Sequence, residues 1–218
     1  VPSFSPAGGD TSTFFNEWAS KVNADSNGTL NISVRDGVAI ANLGNILDRV
    51  ENDIVQIGWM IPNIIAGRFD NLDVISAPGV QAGVEIPDGT EAAWKLNESG
   101  MLDEEFAGLK ILSYGVTISA DLHCNKELKG DLSDLSGVKI GVSGGMNAGV
   151  VQRLGATPVS LGFFDLFEGL QRGTIDCITQ PYAPFVPAGF AEVTNFHVPL
   201  PLGAASTITF MQQDRFDA

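Results

Sequence analysis

The sequence predicts an α/β fold in which a largely parallel sheet is flanked by crossover helices. Three observations lead to this prediction. Apolar residues make up 44% of the 218 residues and charged residues only 17%, so the chain can bury a substantial core. Segments with strand periodicity alternate with segments of helical periodicity, which is the order that a parallel sheet requires. No apolar run reaches the ~18 residues that a membrane-spanning helix needs.

The first quarter of the chain shows this alternation. Residues 10–27 carry an apolar stripe with helical spacing, and Asp10 is the expected N-cap. Alternating apolar residues at 30–34 predict a strand. A second helix is expected from about Asn42, and the apolar run at 54–60 predicts a buried strand.

The remainder of the chain continues the same pattern. Strands are expected at 72–77, 109–115, 117–124, 138–143, 156–161, 175–180, 193–198 and 205–211. Helices are expected at 88–99, from about residue 145 and at 164–171, with a helical turn at 131–135. A boundary near 116–126 separates two strand–helix sets, which predicts two lobes with a ligand cleft between them at the carboxyl ends of the strands.

The charge balance argues against several classes of partner. Twelve basic and 26 acidic residues give a net charge of −14, which disfavours nucleic acid and anionic membrane surfaces. The sequence shows no zinc-type, EF-hand or H-E-x-x-H spacing and no phosphate-binding glycine loop with a lysine, so no metal or cofactor is expected. The buried-thiol interpretation is the default for Cys124 and Cys177, and His123 is expected to be a structural histidine.

One motif points to an enzyme. The run GVSGG at 141–145 matches the G-x-S-x-G elbow of α/β-hydrolases and lies between a predicted strand and a predicted helix. Ser143 would be the nucleophile, Asp165 or Asp176 the acid, and His197 the base. Glycine and serine are also common in any strand-to-helix turn, because glycine permits positive φ and exposed N–H groups suit a ligand.

A longer pattern resembles a transport family. The runs LSDLSGVKI (132–140), LGATPV (154–159) and FFDLFEGLQRGTID (163–176) resemble the solute-binding proteins of TRAP (tripartite ATP-independent periplasmic) transporters. In the amino-terminal half, NGTL (27–30) and DIVQIGW (53–59) are similar to that family as well. The resemblance follows essentially the whole chain in order.

The resemblance implies a two-lobe periplasmic-binding-protein fold (type II-like), with parallel and mixed sheets flanked by helices. Lobe 1 would comprise 1–116 plus 203–218, and lobe 2 would comprise 117–202. It implies a periplasmic protein without catalysis, which captures a small organic solute, commonly an organic acid, by lobe closure. The solute would pass to the TRAP membrane permease subunits. A ligand-binding sensor domain of the same fold stays open as an alternative.

The resemblance also implies six ligand-binding residues. They are Trp59, Lys126, Ser143, Asn147, Phe163 and Gln180. Lys126, Phe163 and Gln180 fall on a basic, an aromatic and an amide position of the second lobe. The loop 143–147 would supply backbone and side-chain donors, and Trp59 ends a first-lobe strand that would face the cleft.

The chain departs from the family pattern at three places. The family's carboxylate-binding arginine follows Lys-Ile, where this chain has Gly141. A solute carboxylate would then be held by Lys126 or another basic residue, or by loop N–H groups, or the solute is not a simple carboxylate. Cys177 replaces a usual glycine, and its predicted closeness to Cys124 makes a disulfide possible. Family members also continue with a helix that braces both lobes, so we expect an incomplete binding protein.

Overall fold

A computed structural model describes residues 1–5, 7–65, 67–128, 135–143, 145–182, 185–186 and 188–218. The chain divides into two compact units. Unit 1 comprises Val1–Ile61, Phe106–Tyr114 and Thr207–Ala218, and unit 2 comprises Pro62–Glu105 and Gly115–Ser206. The boundaries between the two units, at about residues 115 and 206, lie close to the predicted lobe boundaries. They differ over residues 62–105, which group with unit 2, so the lobe assignment stays a prediction.

Unit 1 is built on a three-stranded sheet. The elements that lie wholly or largely in this unit are α1 (Asp10–Asp25), α2 (Ile46–Glu51), β1 (Ile57–Met60), β2 (Leu109–Val116), β8 (Ser206–Gln212) and α7 (Gln213–Phe216). The strand order is β1-β8-β2. Strands β1 and β8 are antiparallel, with Gly58 opposite Phe210. Phe15 on α1 is buried, as the apolar stripe predicted there requires, whereas Phe14 of the same stripe is 62% exposed.

Three predictions for unit 1 are corrected. The strand predicted at 30–34 is only an isolated bridge between Pro2 and Arg35, where Arg35 N donates to Val1 O at 2.8 Å. The backbone N–H and C=O of Ile32 bond the side chain of Asn23 on α1 instead of a neighbouring strand, at 2.6 and 2.8 Å. Helix α2 begins at Ile46 rather than near Asn42, because the side chains of Asn42 and Asn45 bond local backbone amides in a turn. Helix α1 has Gly9, not Asp10, at its N-cap.

Unit 2 is built on a five-stranded mixed sheet. Its strands are β3 (Asp121–Cys124), β4 (Lys139–Val142), β5 (Thr157–Ser160), β6 (Cys177–Gln180) and β7 (Phe196–Val198), in the order β5-β4-β6-β3-β7. Strand β4 runs parallel to β5 and β6, whereas β3 runs antiparallel to both β6 and β7. The described helices of this unit include α3 (Asp70–Asp73), α4 (Ile86–Glu98), α5 (Gly145–Arg153) and α6 (Leu166–Gln171).

The strand predicted at 72–77 is helical. Helix α3 is followed by a 3-10 helix at Val74–Ser76. The carboxylate of Glu105 accepts hydrogen bonds from the backbone amides of Asn71 and Leu72, at 2.6 and 3.2 Å. This distant carboxylate satisfies amides in the first turn that no local side chain caps. The helical turn predicted at 131–135 lies outside the described residues except for its last residue.

Apolar side chains cover both faces of the unit 2 sheet. On one face, Ile140 and Val142 pack in a cluster with Val151 of α5. On the other face, Ile178 packs in a cluster with Leu166 of α6 and Phe190. Alternate residues of β4 and β6 therefore feed two separate cores, as expected for strands that are covered on both sides.

The two cysteines form a disulfide, so the default of two buried free thiols is wrong. Cys124 and Cys177 lie directly opposite each other on β3 and β6 and are joined by a bond of 2.07 Å. Both are fully buried in the cluster that contains Ile140. The bond joins an antiparallel strand to the parallel part of the sheet.

Candidate functional site

The carboxyl edge of the parallel strands in unit 2 brings two predicted site residues together. Strands β4 and β6 pair in parallel, with Gly141 opposite Ile178. Ser143 follows the last residue of β4 and Gln180 is the last residue of β6, so both lie at the carboxyl ends of neighbouring parallel strands. A hydroxyl and an amide therefore stand where ligands bind in open α/β sheets.

Gln180 is anchored through its main chain by a buried histidine. The imidazole of His123, which is fully buried, lies with Nε2 2.9 Å from Gln180 O and Nδ1 2.9 Å from His197 Nδ1. Burial lowers the pKa of His123, and the neighbouring His197 adds to that effect. His123 is thus a structural histidine, as predicted, but its partner was not foreseen. The signal was the pairing of two predicted strands that each carry one histidine.

An aromatic group surrounds the histidine pair. The rings of Tyr182 and Phe185 lie 4.8 and 4.4 Å from the His123 ring, measured between centroids. Phe185 is buried, whereas the ring of Tyr182 is about half exposed at 48%. Tyr182 and Phe185, which follow β6, are therefore packed on His123, and the last residue of β6 is bonded to it.

Ser143 does not stand in a hydrolase arrangement. Its Oγ is buried and has no hydrogen-bond partner among the described residues. Ser143 is not among the described non-glycine residues that have a positive φ. His197 Nδ1 is bonded to His123 instead. Among the described residues, therefore, no base is hydrogen-bonded to this serine.

Lys126 is already paired with a carboxylate. Its Nζ lies 2.8 Å from Asp176 Oδ1, and Asp176 Oδ2 accepts a hydrogen bond from Lys139 N at 2.9 Å. Burial alone would raise the pKa of Asp176, but the hydrogen bonds from Lys126 and Lys139 N outweigh it and hold that pKa below its usual value. A solute carboxylate at Lys126 would compete with Asp176.

The other predicted site residues are placed as follows. Phe163 begins the 3-10 helix Phe163–Asp165 and packs edge-to-face on Phe190, with ring centroids 5.7 Å apart. Asn147 is half-buried in the first turn of α5. Trp59 is a unit 1 residue on β1, half-buried beside Phe4 with ring centroids 6.0 Å apart. The other five predicted residues belong to unit 2.

A side chain at Gly141 would meet the apolar core of unit 2. A Cβ atom there would lie 2.6 Å from Ile175 Cδ1 and 2.8 Å from Leu166 Cδ2. Ile175 and Leu166 are fully buried in the cluster that contains Ile178. Where the family pattern has an arginine, this chain therefore has a glycine, and apolar core side chains fill the space next to it.

The described residues carry neither a membrane span nor a metal cluster. None of the described helices is long and apolar enough to cross a membrane. The described histidine, cysteine, aspartate and glutamate side chains do not gather in groups of three or more that could hold a metal ion.

Solved structures show the same fold. A TRAP solute-binding protein from Rhodoferax ferrireducens, in complex with copurified benzoate, matches with a TM-score of 0.86 and 22% identity over 100% of this chain and 69% of that chain. One from Bordetella bronchiseptica with bound mandelate has a TM-score of 0.87 and 20% identity, over 100% and 70%. One from a Bradyrhizobium species in complex with galacturonate has a TM-score of 0.81 and 19% identity, over 99% and 72%.

A family match covers nearly the whole sequence. Residues 5–218 match the family DctP, described as bacterial extracellular solute-binding protein, family 7. This match agrees with the resemblance found in the runs at 132–140, 154–159 and 163–176, and with the fold shared with the solved TRAP proteins. The chain therefore belongs to family 7 of the bacterial extracellular solute-binding proteins.

Proposed function

We propose that the chain captures a small organic solute in the periplasm, with an organic acid as the expected class, and delivers it to the membrane permease of a TRAP-type transporter. The family match over residues 5–218 carries this proposal. Proteins of the same fold bind benzoate, mandelate and galacturonate, which are all small carboxylates. Capture by lobe closure, without catalysis, is the proposed mechanism, in which binding energy favours the closed state.

The carboxyl edge of β4 and β6 is the proposed solute-contacting part of unit 2. The hydroxyl of Ser143 and the amide of Gln180 can exchange hydrogen bonds with a polar group, and the ring of Phe163 offers an apolar surface. Asn147 and Trp59 complete the proposed set. Lys126 can hold a solute carboxylate only by weakening its bond to Asp176, so the backbone N–H groups in the first turn of α5 are the better candidates for that role.

A thermal-shift screen over organic acids, sugars and polyols tests the proposal. Benzoate, 3-hydroxybenzoate, mandelate, pyroglutamate and galacturonate are the first compounds to include. A solute at about 100 times its Kd stabilises a folded protein by about 2.7 kcal/mol. We expect at least one compound to raise the melting temperature in a saturable manner, and a complete lack of such shifts would contradict the proposal.

The same screen tests the assigned edge with two variants. Gln180→Ala removes an amide at the edge of β6, and Gln152→Ala removes one from an exposed position on α5. We expect Gln180→Ala to lose most of the solute-induced shift and Gln152→Ala to keep it. Equal shifts in both variants would remove Gln180 from the site.

The hydrolase alternative has a direct test of its own. A fluorophosphonate probe labels serines that an adjacent base activates. We expect Ser143 to stay unlabelled, because its Oγ is buried without a partner among the described residues. Stoichiometric labelling of Ser143 would overturn the transport proposal.

A further inference from the structure

Two buried oxygen atoms beside helix α5 have no hydrogen-bond partner among the described residues. They are Asn63 Oδ1 and Ser143 Oγ. Asn63 lies in the 3-10 helix Pro62–Ile64, which packs against α5, and Ser143 lies two residues before α5 begins. Both residues belong to unit 2. A buried oxygen without a partner costs free energy, and a bound group that supplies the missing hydrogen bonds would remove this cost.

The chemistry of the two oxygens restricts what that group can be. The amide oxygen of Asn63 can only accept a hydrogen bond, whereas the hydroxyl of Ser143 can donate or accept one. A carboxylate only accepts, so it could pair with Ser143 but would leave Asn63 Oδ1 unpaired. A hydroxyl or an amide N–H can donate to Asn63 Oδ1.

The two lysines beside Asp176 lie at the other edge of the sheet. Lys126 bonds Asp176, which immediately precedes β6, whereas Gln180 is the last residue of that strand. Lys139 is the first residue of β4, and its backbone N–H also bonds Asp176. A strand of this length spans about 13 Å. These two lysines therefore do not bring positive charge to the carboxyl ends of β4 and β6, where the polar side chains are neutral hydroxyl and amide groups.

We propose that the solute of this chain carries a neutral hydrogen-bond donor, a hydroxyl or an amide N–H, and that Asn63 Oδ1 accepts from it. Ser143 Oγ bonds the same group or the polar atom next to it. This inference rests on the proposed function and narrows its solute class from organic acids in general to hydroxylated or amide-bearing ones. Asn63, which is not among the six residues that the family resemblance implies, is then a specificity-determining residue.

Pairs of solutes that differ by one hydroxyl test the proposal. Mandelate is compared with phenylacetate, and 3-hydroxybenzoate with benzoate, by isothermal titration calorimetry of the chain. In a pair that binds, we expect the hydroxylated member to bind at least about tenfold more tightly. The reason is that the member without the hydroxyl leaves Asn63 Oδ1 buried and unpaired.

Variants at Asn63 test the assignment of the residue. Asn63→Leu keeps a side chain of similar size and removes the amide, and Asn63→Ala removes it with a smaller side chain. Both should weaken binding of the donor-bearing solute, whether an aromatic hydroxy acid, pyroglutamate or galacturonate, by about tenfold or more, and both should reduce the preference within a pair to about one. Asn195 is exposed and immediately precedes β7, so Asn195→Leu is the matched control and should keep the parent affinity and preference.

Two results would overturn the inference. One is equal affinity for the two members of a pair, and the other is a hydroxyl preference that persists in both variants at Asn63. Either result requires a bound solute and so leaves the proposed function in place. A chain that binds no compound of the whole solute screen would instead contradict the proposed function, and this inference would be rejected with it.

Discussion

Replacing Gly141 by alanine tests whether the core of unit 2 fills the space beside β4. The new Cβ would lie 2.6 Å from Ile175 Cδ1 and 2.8 Å from Leu166 Cδ2, which is closer than carbon atoms approach without repulsion. Both partners are fully buried, so neither can turn towards solvent. Overpacking of this kind costs about 1–3 kcal/mol. At about 2–4 °C per kcal/mol, Gly141→Ala should melt several degrees below the parent chain.

Two companion variants make this test specific. Gly149 lies in helix α5, and a Cβ atom added there would meet nothing within 4 Å, so Gly149→Ala should stabilise the protein by up to about 1 kcal/mol through helix propensity. Ile175→Val removes the Cδ1 methyl that the new Cβ at position 141 meets. The double variant Gly141→Ala/Ile175→Val should therefore be more stable than the sum of the single effects predicts.

The assay is urea unfolding followed by circular dichroism, which gives the free energy of unfolding of each variant. The reasoning is refuted by a Gly141→Ala variant as stable as the parent chain. It is equally refuted by purely additive effects of Gly141→Ala and Ile175→Val. Either result would mean that a side chain at 141 finds room, and that an anion-binding side chain is absent there for another reason.

Two further predictions concern the disulfide and a carboxyl group. Replacing both Cys124 and Cys177 by alanine opens a loop with a sequence separation of 53, so the free energy of unfolding should fall by about 2–4 kcal/mol in urea titrations; a loss below about 0.5 kcal/mol would contradict this. Burial, with the charges of Asp70 and Glu105, raises the pKa of Asp73 from 3.8 to about 6. The protonated carboxyl of Asp73 therefore stabilises the fold below about pH 4, and this stabilisation is lost as the pH rises through 6. The melting temperature of Asp73→Asn, relative to that of the parent chain, should rise between pH 4 and pH 7.5. A difference in melting temperature that does not change with pH would refute the assignment.

The elements that the sequence predicts well are those with strong local periodicity. The helices predicted at 10–27 and 88–99 depend on local signals, and the structure confirms both of them. The run at 72–77 fails because its helical state depends on Glu105, more than thirty residues away in sequence. A capping group so distant in sequence is not visible in a short stretch of the sequence.

The candidate site also contains features that local sequence predicts and contacts that it does not predict. Placing Ser143 and Gln180 at strand ends needs only the order of strands and helices, and the parallel pairing of β4 with β6 puts those ends at one edge of the sheet. The bond between His123 and His197 depends on how β3 pairs with β7, which separates the two residues by 74 positions. The disulfide likewise depends on the pairing of β3 with β6. Cross-strand register is not fixed by periodicity, so these contacts could not be derived from it.

Native mass spectrometry of the purified chain with benzoate, mandelate, pyroglutamate and galacturonate, followed by sugars and polyols, tests the central claim most directly. We expect one of these solutes to bind the chain in a ratio of one to one and to be released chemically unchanged. We also expect Gln180→Ala, but not Gln152→Ala, to weaken this complex. A chain that holds none of these solutes, or that releases a hydrolysed product, would contradict the assignment as a solute-capturing protein.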